Sequence, residues 1–358
     1  MSRSNLILAI LAVLQLAALI GFRVARGAES DGPAAGGALT SAKPADVARI
    51  EIRDGGGDGA TIELARQGEG WVVASRADYP ADAGKVTTLL ERLAEVRLGH
   101  ALIRSARNHG PVKVAEDDFA RRVTLKGAGG AVLADLFAAP GSGARSAYLR
   151  RAGEDPVYES EDLTTADLRA DVASWIDGDA FKVDTKDVVA LEIARKDGTA
   201  LRFERRQEAP PTLPAAGEGP PTEEPVWYLL GDEDARTKPK SVEDLLDDLA
   251  GLAVADVAGR KDSAGGDPDE VEATVTLRRA GGDPTILVFG PLSETSGQRA
   301  LESSASPFRV EVANWRISTL FTRTRDDFVD IEKPANEIEL PGNDDASPGV
   351  EGGVEKDG

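Results

Sequence analysis

Two stretches of this chain carry the same features in the same order at a constant separation, which confines it to folds that can be built twice. Asp46 to Ile52 alternates Ile50 and Ile52 against Arg49, Glu51 and Arg53, a Gly-rich turn runs from Asp54 to Gly59, and Ile62 and Leu64 alternate against Thr61 and Glu63. Period-two alternation about a Gly turn is a hairpin with one buried face. A third strand carries Trp71 and Val73, and Asp82 opens a helix with Val86, Leu89, Leu90, Leu93 and Val96 on one stripe. The order returns at Asp187 to Ile193, the turn Lys196-Asp197-Gly198, Leu201 with Phe203, and Trp227 with Leu229. Ser241, with Asp244 three positions on in a capping-box pattern, then opens a helix striped by Val242, Leu245, Leu246, Leu249 and Leu252. Trp71 and Trp227, Val86 and Val242, Leu89 and Leu245, Leu90 and Leu246, Leu93 and Leu249, and Val96 and Leu252 are all 156 positions apart.

Upstream the separation is 141 (Ile50 to Leu191, Ile52 to Ile193), so the second copy has gained 15 residues before its Trp strand. Pro210, Pro211, Pro214, Pro220, Pro221 and Pro225 mark the insertion, over residues 207–225, as an exposed loop, because Pro at that density joins neither ladder nor helix. Downstream, Val123 and Leu125 match Val275 and Leu277 at 152, Pro140 and Pro156 match Pro291 and Pro307 at 151, and Phe181 matches Phe328 at 147. Further strands are expected at Arg122–Lys126, Val132–Phe137, Ala147–Arg151 and Pro156–Glu159. A second helix is expected over Leu168, Val172, Trp175 and Ile176, with Ile317, Leu320 and Phe321 as its later counterpart. Strands joined by short Gly turns imply antiparallel sheets, so the expected fold class is α+β: a tandem duplicated unit of antiparallel sheet plus helices, at 43–180 and 181–332. The Pro- and acid-rich tail 333–358 is expected to be disordered.

Leu6 to Phe22 is a 17-residue apolar run broken only by Gln15, with Arg3 before it and Arg23 and Arg26 after it. At about 1.5 Å per residue it approaches the ~30 Å hydrocarbon layer and exceeds a signal-peptide core of about 7–15 residues. Residues 1–27 therefore read as an uncleaved signal anchor, one N-terminal transmembrane helix, with 28–42 as a flexible stalk; a cleaved signal peptide ending at Ala25-Arg26-Gly27 is the competing reading. Both export the bulk of the chain. The default orientation places a short N-terminus inside the inner membrane and the acidic bulk on the extracytoplasmic side.

Lys and Arg number 42 against 62 Asp and Glu, a net charge of −20 that repels phosphate backbones and anionic lipid headgroups and disfavours nucleic-acid binding. The absence of Cys removes thiol chemistry, disulfides and Cys-bound metals, and no cofactor is called for. Asp54 to Gly59 resembles the start of a calcium loop, but Gly56 and Ala65 stand where ligands are needed, so a plain turn is expected. His100 and His109 are the only imidazoles, without the neighbours of a triad. Arg121, Arg122, Arg145, Arg150 and Arg151 make a basic cluster with a thinner counterpart at Arg278, Arg279 and Arg299. A solvent-facing sheet surface explains most of it, and Arg145, Arg150 and Arg151 are the residues to hold an anionic ligand if there is one.

The run from Asp78, Tyr79 and Pro80 through Asp82, Lys85 and Val86 resembles the domain of unknown function 4340 family. So do Asn108-His109 leading to Phe119, Arg121, Arg122, Val123 and Leu125, then Tyr148 and Arg150 before Asp155, Val157 and Tyr158, and Ser174-Trp175-Ile176 before Phe181. The resemblance covers most of 43–330. It implies repeated units behind an N-terminal membrane segment and, since members are often encoded beside gliding-motility-type ABC transporter components, an accessory role facing the envelope. It implies no catalytic residues. The expected function is a non-enzymatic, membrane-anchored accessory or interaction protein contacting ABC transporter subunits or other envelope proteins. A periplasmic ligand-binding protein using the cleft between the two copies is the alternative, and a hydrolase-like enzyme using His109 stands third.

Overall fold

The structure, a computed structural model, describes residues 37–56, 59–208, 224–231, 234–261 and 270–330. The expected membrane anchor, most of the Pro-rich insertion and the acidic tail lie outside the described residues.

The strands of the first half are β1 (Gly37–Ala38), β2 (Arg49–Asp54), β3 (Thr61–Gln67), β4 (Gly70–Val73), β5 (Tyr79–Pro80), β6 (Arg97–Leu98), β7 (Arg121–Lys126), β8 (Val132–Pro140), β9 (Ala147–Arg151) and β10 (Tyr158–Ser160). The second half has β11 (Val188–Arg195), β12 (Ala200–Glu208), β13 (Glu224–Leu229), β14 (Ala235–Arg236), β15 (Val254–Arg260), β16 (Ala273–Arg279), β17 (Thr285–Leu292), β18 (Gln298–Ser303) and β19 (Phe308–Ala313). One sheet runs β10-β9-β8-β7-β2-β3-β4-β5 and the other β15-β19-β18-β17-β16-β11-β12-β13-β14. Apart from the extra edge strand β15, each step of one sheet has its counterpart in the other. The fold is sheet-rich α+β with antiparallel ladders.

The registers agree as well as the order. Ile50 lies between Leu64 and Leu125, and Ile52 between Ile62 and Val123. Leu191 lies between Phe203 and Leu277, and Ile193 between Leu201 and Val275. All twelve side chains are buried. A one-residue slip in any of these pairs would turn an apolar face to water, so the alternation in the sequence is what sets the ladder. The ladders also realign the basic cluster. Arg121 and Arg122 open β7, whereas Arg278 and Arg279 close β16, so they stand at opposite ends of equivalent strands and are not counterparts.

Helix α1 (Ala83–Glu95) is capped by Asp82, whose carboxylate accepts from the Lys85 N–H at 3.0 Å, and it buries Val86, Leu89, Leu90 and Leu93. Helix α2 (Ser241–Ala250) buries Val242, Leu245, Leu246 and Leu249 in the same pattern. Its start differs from expectation. Lys240, at φ 63°, is the cap residue, and the Ser241 hydroxyl donates to the Lys238 carbonyl at 2.8 Å, so no capping box forms.

The second expected helix of the first half is absent, although Leu168, Val172, Trp175 and Ile176 are all buried. The segment instead makes a short 3-10 turn at Thr165–Asp167 and then successive turns. Local side-chain bonds outcompete the helix: the Asp171 carboxylate accepts from the Ser174 N–H and hydroxyl at 3.0 and 2.8 Å, and Arg121 Nε takes the Leu168 carbonyl at 3.1 Å. The corresponding segment of the second half folds into three single turns, α3 (Asn314–Ile317), α4 (Thr319–Thr322) and α5 (Arg325–Phe328). Hydrogen bonds identify the true equivalents. Ala81 donates to the Trp71 carbonyl as Thr237 does to Trp227, and Asp82 donates to Trp175 as Lys238 does to Phe328. Phe328 therefore corresponds to Trp175, at a separation of 153, and not to Phe181.

Residues expected as free stalk are part of the fold from Gly37 onward. Gly37 and Ala38 pair with Leu98 and Arg97, and Leu39 is fully buried. The Pro-rich insertion leaves from paired strands, since Glu208 is opposite Glu224 across β12 and β13.

The halves meet along β15 and β19. Arg76 forms a two-pronged ion pair with Asp256 at 2.6 and 3.3 Å, and the Tyr79 ring packs on Phe308 at 4.7 Å between centroids. One apolar cluster runs continuously from Leu39 to Val329. The Tyr79 hydroxyl, buried here without a hydrogen-bond partner, has its pKa pushed up to about 12 by burial, with the negative charge of Asp177 adding to it. The ionised form is thus disfavoured in the folded state. Stability from this group is complete below the unfolded value near 10 and is lost as pH rises from there toward 12. Burial also raises Tyr158. Tyr79 should remain un-ionised at pH 10.5 in the folded protein, read as phenolate absorbance at 295 nm before and after adding denaturant.

Candidate functional site

Each side chain singled out for chemistry has a place in the fold. Neighbours in a strand point to opposite faces, so Arg150 and Arg151 on β9 diverge. Arg150 is 2% exposed; Nε donates to the Val114 carbonyl at 2.6 Å, Nη1 to the Glu154 carbonyl at 2.9 Å, and Nη2 to Glu116 Oε1 at 3.0 Å. Its guanidinium lies 4.4 Å from the centroid of the Phe137 ring. Arg151 donates from Nε to the Leu39 carbonyl at 2.7 Å and from Nη2 to the Ala38 carbonyl at 2.6 Å, and it pairs with Glu154. Arg145 is exposed in the turn between β8 and β9. The three are not gathered around one cavity: two are committed to the interior of the fold and one stands in solvent.

The remaining candidates are similarly engaged. His109 is buried between two 3-10 turns with Nε2 2.7 Å from the Asp155 carbonyl, which makes that nitrogen the donor. His100 is exposed. Arg122 grips Asp135 with two bonds, and Arg299 donates to Asn314 and the Gly290 carbonyl. Arg279 pairs with Asp184. Asp54, at the resemblance to a calcium loop, is paired with Arg121 at 2.7 Å. Among the described residues no cluster of three His, Asp or Glu side chains could hold a metal ion.

One arrangement recurs in both halves with its donor moved. Arg121, on β7, holds the Leu168 carbonyl; Arg195, on β11, holds the Leu320 carbonyl at 2.8 Å and that of Arg323 at 2.6 Å. Arg121 sits opposite Asp54, and Arg195, the counterpart of Asp54, sits opposite Ala273. Both halves thus tie the same loop to the same corner of the sheet, with the guanidinium supplied from opposite members of one strand pair.

One concavity with mixed chemistry is a groove of about 520 Å³ between the outer face of α1 and the turns after Thr165. Lys85, Thr88 and Arg92 line one wall, spaced at three and four residues so that they share a helix face; Asp167, Arg169, Ser174 and Trp175 line the other. An Arg92–Asp167 ion pair spans it at one end, and Lys85 Nζ reaches the Ser174 carbonyl at 3.1 Å at the other. Trp175 is held by its indole N–H on the Arg169 carbonyl at 2.7 Å. Arg169 in turn pairs with Asp171 at 2.7 Å. Partial burial works to raise the Asp171 carboxyl, but hydrogen bonds from Arg169 and Ser174 overcome it and hold the group below the usual carboxylate range. In the second half Asp248 and Thr319 occupy the positions of Arg92 and Asp167, and they too are hydrogen-bonded, at 3.4 Å. The cross-link between helix and returning segment is kept, while the cation becomes an acid. With Lys85 and Arg92 on one wall and Asp167 and Arg169 on the other, the first groove suits a partner bringing both donors and acceptors rather than a bare anion.

The family model named Domain of unknown function (DUF4340) matches residues 71–274, more than half of the chain. The chain belongs to the DUF4340 family. The DUF4340 match begins at Trp71 in β4 and ends at Thr274 in β16, so it crosses from one sheet to the other and contains the whole groove. The first hairpin and the last strands of the second sheet fall outside it. No curated protein and no solved structure matches the chain. The groove escaped the reading of the DUF4340 sequence because Lys85, Thr88 and Arg92 look like an ordinary solvated helix face. Only the failure of 168–176 to form a helix leaves a concave wall opposite them.

Proposed function

We propose that this chain is a membrane-anchored protein facing the extracytoplasmic side of the inner membrane, acting through contact with other envelope proteins rather than by catalysis. An ABC-type transport system is the partner to test first, given the family association described above. The observation that carries the reading is the 17-residue apolar run Leu6–Phe22 with its flanking arginines. Support for contact over chemistry comes from the engagement of His109, Arg150 and Arg151 in bonds that hold the fold. The shared strand order and register support the tandem copying of one unit. A small-ligand role, the second reading, attaches to the groove beside α1 rather than to the junction between the halves, where Arg76, Asp256, Tyr79 and Phe308 pack together.

Full-length protein is expected in the carbonate-resistant membrane fraction, digestible by protease added from the extracytoplasmic side, and crosslinked in cells to transporter subunits. Thr88 is exposed, and Thr88→Arg, which fills the groove, should lower the crosslink yield at least tenfold without loss of membrane retention. Release by carbonate overturns the anchor; retention with no crosslinked envelope protein overturns the contact role.

A further inference from the structure

Residues 96–115 contain no Asp or Glu, a run of 20 positions in a chain with 62 acids in 358. The same run contains Arg97, Arg104, Arg107 and Lys113. Arg97, Arg104 and Arg107 are exposed, as is Leu102 at 59%. Elsewhere in this half, Arg76, Arg92, Arg121, Arg122, Arg150 and Arg151 are each paired with a carboxylate, while Arg53, Arg66 and Arg145 are scattered cations without one among the described residues. Among the described residues Arg97, Arg104 and Arg107 have no such partner; Arg107 makes one hydrogen bond, from Nε to the Ser105 hydroxyl at 3.1 Å.

This cationic stretch is also where the chain enters the fold. Gly37 and Ala38 pair with Leu98 and Arg97, and Arg151 holds the carbonyls that follow. Residues 23–36, 14 in number, separate the apolar run from Gly37. Fourteen residues reach at most roughly 50 Å, so the face beside Gly37 is the one held nearest the point of attachment.

We infer that the 97–107 face rests on the surface of an anionic bilayer, with Arg97, Arg104 and Arg107 among lipid phosphates and Leu102 at headgroup level. The inference rests on the reading of Leu6–Phe22 as a membrane anchor. Guanidinium groups match phosphate oxygens bidentately, and a tether keeps the surface at high effective concentration, so three arginines and one apolar side chain suffice where they would not bind from solution. The net charge of −20 repels an anionic surface as a whole, but screening over about 8 Å at physiological ionic strength limits that repulsion and leaves the phosphates facing the local cations. The tether also selects lipid over an acidic protein as the occupant, since the bilayer is within reach at all times.

The chain lacks Cys, so a single introduced thiol reports one position. Full-length Leu102→Cys and, as a control on the solvent face of the second sheet, Ile286→Cys are spin-labelled and reconstituted into vesicles of phosphatidylcholine with or without 30% phosphatidylglycerol. With phosphatidylglycerol, the label at 102 should be relaxed at least threefold more by a nickel-chelating lipid than the label at 286. The difference should vanish in pure phosphatidylcholine and on adding Arg97→Gln, Arg104→Gln and Arg107→Gln. Equal relaxation at both positions in carbonate-resistant protein overturns the inference while the anchor stands. Release of the protein by carbonate removes the anchor and the inference with it. Shielding of the label at 102 in native membranes but not in lipid vesicles overturns it in favour of a protein partner.

Discussion

Arg150→Ala should destabilise the protein by about 3 kcal/mol, since it strands the buried Val114 carbonyl and the half-buried Glu154 carbonyl and removes the cation from the Phe137 face. Glu116 is 56% exposed and rehydrates, so the unpaired carboxylate adds little. A loss of that size lowers the melting temperature by roughly 6–12 °C in a domain of this class. Arg150→Lys should recover only a small part, because one ammonium cannot serve the three directions that the planar fork reaches. Arg145→Ala, at an exposed turn, should change stability by less than about 0.5 kcal/mol. Thermal and urea unfolding followed by circular dichroism separates these outcomes. Unchanged stability in Arg150→Ala, together with loss of binding to some anion, would restore the ligand role that the sequence alone offered for this arginine.

Trp175→Ala should cost about 3–5 kcal/mol, as large as a truncation inside a regular helix or strand, although Trp175 lies in a run of turns. The side chain is 4% exposed, its indole N–H holds the Arg169 carbonyl, and its own carbonyl receives the Asp82 N–H at the start of α1. Removing it takes away the groove wall and loosens the attachment of α1. Trp175→Phe retains most of the apolar area but leaves the Arg169 carbonyl without its donor, and about 1 kcal/mol is expected. Phe328→Ala, at the equivalent position beside Lys238, should match Trp175→Ala to within about 1 kcal/mol in urea unfolding. A cost below about 1 kcal/mol for Trp175→Ala would mean that the turns are not anchored by this residue.

Much of this architecture was legible because sheet register and helix burial are written as simple periods. Ile50 and Ile52, and Leu191 with Ile193, announce their faces, and a fixed separation carried the assignment from one half to the other. The readings that failed share a cause: they depended on side-chain hydrogen bonds that no hydropathy pattern encodes. Leu168, Val172, Trp175 and Ile176 have helical spacing and are buried, yet Asp171, Ser174 and Arg121 bind the backbone first. Ser241 and Asp244 satisfy a capping pattern, yet a left-handed Lys240 takes the cap position. Phe181 and Phe328 agree in type, whereas the backbone hydrogen bonds from Asp82 and Lys238 make Phe328 the equivalent of Trp175. The cluster at Arg121, Arg122, Arg150 and Arg151 was visible as charge, but whether an arginine serves a ligand or a carbonyl depends on loops that approach it from over 30 residues away.

The junction between the halves has a mechanical meaning. Since Arg76 and Asp256 are bridged by two bonds, Tyr79 stacks on Phe308, and a single apolar interior passes through both sheets, twisting one sheet against the other would open packed surface to water. Rotation of one sheet against the other is therefore resisted by the ion pair, the ring contact and the shared interior together, and a load placed on either half is borne by both.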